Sequence, residues 1–349
     1  MKFSYNNVIY KTHKGNTMKQ FTKGLLLALF VTMGLTTGVV ADATQKATHN
    51  VTILTADNSD GKITPKTIAA EFEKAGFFIN DNRDMTAPWL KQCKAGTKNF
   101  TVVDYDVYNL FTLFKKDVVV RLGKKYPNIG LFSPMSMSIW TRKGSKTISV
   151  SSLSAAAMAD IMGLPADDAD LVAYGKLVQD TLRAALPNAK VEKVSYDMIQ
   201  PEGPLVSTAQ GKMDPEADWE EVKEKFQEDF EQALIPAMFI NAGFNDLNYD
   251  MEESGFEGYT FYDVYSICYL EVIYTVAKKY PEAGAFAPCS LYMYQNKGTN
   301  TMEMGYPSVY NWIASLAIDD KASHDVLIMA QKKMEAILEK LTKETLAAE

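Results

Sequence analysis

Residues 124–136 read KKYPNIGLFSPMS, and residues 278–290 read KKYPEAGAFAPCS. Extended to Lys124–Gly144 and Lys278–Gly298, ten of twenty-one positions are identical at a fixed offset of 154. Chance pairing with ordinary residue usage gives about one or two. DYDVY at 104–108 matches FYDVY at 261–265 at offset 157, and AGFFINDNRDM from Ala75 is paired with AGFNDLNYDM from Ala242. The order is the same in both halves, and the period far exceeds the roughly 20–50 residues of solenoid repeats. The pattern reads as tandem duplication of a whole domain: a first copy over 50–187, a linker over 188–218 and a second copy over 219–349.

Each copy parses alike. Thr64-Pro65 is an N-cap followed by proline at the first helical position, and Ile68, Phe72 and Ala75 mark a helix face ending at Gly76. Val222, Phe226 and Phe230 mark the counterpart over Trp219–Leu234. Short strands are expected near Phe77–Asn80 and Met238–Asn241, then around Phe100–Tyr105 and Gly258–Tyr262. Asp106 and Asp263 are expected to cap helices that stop at Tyr-Pro, since a proline disfavours helix in the residue before it. The change of offset from 157 to 154 is expected inside that helix, where losing three residues removes nearly one turn. GLFSPMSMSIW and GAFAPCSLYMY then read as strands, with Pro134 and Pro288 predicting a bulge or an edge. Lys-Gly turns at 143–144 and 297–298 lead into a return strand, and helical regions close each copy. KVEKVSY, within the linker, reads as a further strand. The expected fold class is α+β: two tandem homologous domains, each a small, mostly antiparallel sheet packed with helices.

The N-terminus carries a separate signal. Lys19 and Lys23, an apolar run from Leu25 and small residues before Asp42 follow the order of a secretory leader over about 18–41, with Met18 as the expected start. The alternative is a retained N-terminal membrane anchor. A cleaved chain would be periplasmic or secreted, with no stable membrane span. Residues 1–41 hold five lysines and no acid, so their removal takes the formal net charge from −7 to −12. That balance excludes nucleic acid as an expected partner, because phosphate binding needs a basic footprint. A small molecule or another periplasmic protein remains.

The repeated strands resemble the family catalogued as domain of unknown function 302. The residues that carry the likeness are Pro127, Gly130, Phe132 and Pro134, and again Pro281, Gly284, Phe286 and Pro288. It spans roughly 64–165 and 220–320 and resembles exported bacterial members with two copies. It implies a compact α+β domain and transfers no activity, cofactor or catalytic residue.

Two faces of the repeated strand carry candidate chemistry. Cys289, Leu291 and Met293 alternate on one face, as do Met135, Met137 and Ile139. With Met302 and Met304, the sulfur atoms of Cys289 and Met293 suit Cu(I), against a plain core position for each. The other face carries Ser136, Ser138 and Trp140, or Ser290, Tyr292 and Tyr294. Together with Tyr108 and Tyr265, the residues Ser136, Ser290, Trp140, Tyr292 and Tyr294 are the candidate ligand contacts, because tyrosine combines an apolar body with a polar tip. All four arginines fall in the first half, so anion binding by one copy is set against simple drift. Cys93, Cys268 and Cys289 make no close pair, no motif indicates a cofactor, and no residue takes a catalytic role. The expected function is a non-catalytic binding or interaction module. A copper-handling protein and an enzyme of unidentified reaction are the alternatives.

Overall fold

The computed structural model describes residues 49–344 except 193 and 195, so the expected leader over 18–41 lies outside the described residues. The first half runs β1 (Val51–Asp57), α1 (Pro65–Lys74), β2 (Phe78–Asp84), α2 (Thr86–Lys94), β3 (Tyr105–Phe114) and α3 (Lys116–Gly123). A 3₁₀ segment (Pro127–Phe132) follows, then β4 (Met135–Arg142), β5 (Thr147–Leu153), α4 (Ala155–Met162), α5 (Ala169–Ala185) and the short β6 (Lys190–Val191). The second half repeats the order: β7 (Val206–Lys212), α6 (Trp219–Ala237), β8 (Ile240–Asp246), α7 (Leu247–Glu253), β9 (Tyr259–Cys268), α8 (Leu270–Ala277) and a 3₁₀ segment (Pro281–Phe286). It ends with β10 (Cys289–Asn296), β11 (Thr301–Pro307), α9 (Tyr310–Ser315) and α10 (Lys321–Glu344). Every ladder is antiparallel. The strand orders, β2-β3-β4-β5-β1-β6 and β8-β9-β10-β11-β7, coincide apart from β6. The fold is α+β with two antiparallel sheets, as the sequence led us to expect.

The caps follow the local sequence. The Thr64 hydroxyl accepts a hydrogen bond from Thr67 N–H while the Thr67 hydroxyl accepts one from Thr64 N–H, so two orphan donors at the start of α1 are satisfied. Phe72 of α1 meets Phe111 of β3 with ring centroids 5.5 Å apart, and Phe230 of α6 meets Tyr265 of β9 at 5.5 Å. Each sheet therefore buries one face under helices of its own half.

Asp106 and Asp263 do not cap helices. Both lie inside ten-residue strands, β3 and β9, and the helices begin only after Lys115 and Tyr269. These strands are covered on both faces, so nearly every position is buried, apolar or not, and the alternation that marks a half-exposed strand is lost. The Asp106 carboxylate instead accepts the Gly144 N–H at 2.7 Å, holding the β4–β5 turn.

The register corrects the expected alignment. Tyr108 lies opposite Trp140, and Tyr262 lies opposite Tyr294. Tyr108 thus corresponds to Tyr262 at offset 154, not to Tyr265 at 157. No residues are lost within a helix, since α3 and α8 are both eight residues long. The DYDVY/FYDVY match is a three-residue slip in a tyrosine-rich strand. Ala75 is the C-cap of α1 whereas Ala242 lies in β8, so the third match is also out of register.

Two further expectations change. The segments after Tyr-Pro, 127–132 and 281–286, are 3₁₀ turns, and the strands begin just after Pro134 and Pro288 in central, not edge, positions. Both prolines follow cis peptide bonds. The stretch 188–218, read as linker, contains β6 and β7. β7 pairs with β11 as β1 pairs with β5, with Val206 opposite Pro307 and Val51 opposite Leu153. The described residues form one compact unit.

Candidate ligand cleft between the two halves

The repeated motif works across the halves. Ser136 donates to the Pro288 carbonyl at 2.8 Å, and Ser290 donates to the Pro134 carbonyl at 2.7 Å. Tyr108 donates to Pro281 O at 2.9 Å, and Tyr262 donates to Pro127 O. Tyr259 donates to Gly123 O at 3.0 Å, and Tyr105 makes the matching bond to Ala277 O. Each contact is repeated at offset 154 with the halves exchanged. Burial holds the phenols of Tyr108 and Tyr262 far above the usual tyrosine range, so they stay protonated and donate. The inner face of each sheet is closed by the 3₁₀ segment of the other half.

Closure is incomplete at one end. A cleft of about 1140 Å³ opens between β1, β4, β5 and the β6 connector on one side and residues 279–282 and 316–319 on the other. Its walls include Trp140, Arg142, Tyr196 and Glu282. This volume slightly exceeds the usual range of about 300–1,000 Å³ for small-molecule sites. A second cavity, about 60 Å³ and almost wholly apolar, lies beside Cys268, Cys289 and Trp312 and is too small for an organic ligand.

Charge in the cleft is mixed. The Arg142 guanidinium lies 4.6 Å from the Tyr105 ring centroid and donates to Lys278 O at 3.1 Å, which fixes it without a carboxylate partner among the described residues. Lys279 is neutralised by Asp319. Glu282 is only 5% exposed and accepts from the Tyr196 hydroxyl at 2.7 Å. Burial holds its carboxyl above the ordinary glutamate range, and the neighbouring Glu192 adds to the rise, against its own backbone N–H, the Tyr196 hydroxyl and the field of Arg142. No lysine or arginine among the described residues forms an ion pair with it.

The expected site residues divide. Tyr108, Ser136 and Ser290 are buried in hydrogen bonds between the halves. Tyr292 and Tyr294 stack at 5.7 Å, with Tyr292 against Gly130. Of the seven, Trp140 alone lines the cleft. Tyr265 is on the opposite face of β9, packed against Phe230 and Phe244. The sulfur residues divide similarly: Met293 lies opposite Met304 in the ladder, and both pack with Met302 among Phe226, Phe230 and Leu291. Cys289 lines the small cavity, its thiol pushed up to about 12 by burial.

Glu282, Tyr196 and Arg142 were not singled out as a group by the sequence. The available signal was a difference inside the repeat, where position 282 is Glu and its counterpart 128 is Asn. Asn128 donates to the Met162 carbonyl at 2.9 Å, a structural tie within its own half.

No family model and no curated protein matches the chain. Among solved structures the chain is similar to one described as an uncharacterized conserved protein DUF302 from Bacillus stearothermophilus. The two are 19% identical with a TM-score of 0.33, over 40% of this chain and 99% of that one.

Proposed function

We propose that this chain is an exported, non-catalytic binding module, made by duplication of one domain, whose ligand occupies the cleft between the halves. The observation that carries the reading is the cleft itself: about 1140 Å³, with walls from both halves and from the connector between them. A small molecule held there would touch Trp140, Arg142 and Glu282, one aromatic wall and two fixed polar groups within a lining that is polar and apolar in about equal parts. The remaining serines and tyrosines of the repeated strands support the site from behind by holding the halves together.

Native mass spectrometry of protein purified from the periplasm, with elemental analysis of the same sample, tests the reading. A bound organic mass lost on substitution of Trp140 by alanine is the expected result. Copper retained by the protein and lost in Cys289→Ala would replace this reading with metal handling. A mass unchanged by any extract of small molecules, with no metal, would leave a protein–protein role.

A further inference from the structure

Glu282 is a carboxyl group in the wall of an open cleft, with one oxygen engaged by Tyr196 and no ion-paired lysine or arginine among the described residues, Arg142 acting on it only through its field. Its second-half position is not a requirement of the fold. The counterpart in the first half is Asn128, which serves the same 3₁₀ turn with a neutral amide. Ser151 donates to the Glu282 backbone carbonyl at 3.1 Å, so the turn is anchored through its main chain and not through the carboxylate. Glu192 stands nearby on the connector and accepts from Thr55 at 2.8 Å, again with no ion pair among the described residues. Lys279, the nearest lysine in sequence, is held by Asp319.

A buried carboxylate without a counter-ion is costly, and a ligand that brings the missing charge recovers that cost on binding. Aromatic surface beside the acid favours the same species, because ring faces attract cations. Resting on the cleft reading above, we infer that the ligand carries a protonated amine, with Glu282 as its anionic anchor and Trp140 as the apolar wall against its body. Arg142, fixed over Tyr105, narrows the choice by repelling cations that approach its side and by accommodating a ligand that also has an acceptor or carboxylate.

The test uses three probes of similar shape on the full protein: phenethylamine, 3-phenylpropionate and neutral 3-phenylpropanol. Binding is followed at the Trp140 indole N–H resonance, assigned by Trp140→Phe. The expected result is saturable binding of phenethylamine at least tenfold tighter than 3-phenylpropionate, with the preference abolished in Glu282→Gln. Equal or tighter binding of the carboxylate overturns the amine assignment while leaving the cleft reading intact. A preference that survives Glu282→Gln removes Glu282 as the anchor. Failure of all three probes to move the Trp140 resonance overturns the cleft reading and the inference with it. The wild-type comparison needs no variant, so a poorly folded Glu282→Gln protein does not remove the test.

Discussion

A β-carbon on Gly284 would lie 2.4 Å from the Ser138 Cβ and 3.0 Å from its Cα, against backbone that cannot rotate away. Gly284→Ala is therefore expected to destabilise the chain by about 1–3 kcal/mol through overpacking, measured by urea denaturation. Ser136 and Ser290 are the next test. Removing either hydroxyl leaves a proline carbonyl unpaired, so Ser136→Ala and Ser290→Ala should each cost about 1–3 kcal/mol, and a loss within error in both would show that water replaces the bond. Asp263 behaves differently. It is fully buried beneath α6, where Lys223 at 2.8 Å does not offset desolvation, and its carboxyl is pushed up to about 6 from 3.8. Between about pH 4 and 6 the folded chain keeps a proton that the unfolded chain has released, so this group makes stability fall as pH rises through that window. Asp263→Asn should flatten that part of the stability profile, by at most about 3 kcal/mol. An unchanged slope would assign the titration elsewhere.

At the scale of elements, the slip between Tyr108 and Tyr265 is resolved by strand register. Tyr108 and Tyr262 are the matched pair, each donating to a carbonyl of the opposite 3₁₀ segment. Tyr108→Phe and Tyr262→Phe should thus lose similar amounts, about 1–3 kcal/mol each, by the same denaturation measurement. Unequal losses would mean that the two contacts are not equivalent. The sequence made the hairpin β4–β5 and the capped helix α1 legible, because a turn glycine and a Thr-Pro cap act locally. It hid β3 and β9, whose two covered faces erase the period of two. It also hid β7, whose only apolar signal is short and whose pairing with β11 is set by a distant strand. The face bearing Ser136, Ser290 and Tyr292 was readable from alternation, but its destination was not. Nothing in local spacing says that a polar strand face will be covered by the other half of the chain. Glu282 was hidden for a further reason: that it forms no ion pair among the described residues depends on everything packed around it.

For the whole molecule, the exchanged hydrogen bonds make each half a part of the other's interior. Neither sheet has a complete inner surface without the opposite 3₁₀ segment, and residues from both halves fall in one apolar cluster. Thermal unfolding should consequently show one cooperative transition; two resolved transitions would mean that the halves fold independently. The pairing of Asn128 with Glu282 has a further consequence. In a dimer of identical chains, any change at this position appears twice, and both equivalent surfaces change together. Two halves of one chain that share a strand order are free of that constraint, so one surface can carry an acid while its counterpart keeps a structural amide. Saturation of the cleft should therefore end at one molecule per chain, half the count that the internal symmetry alone would give.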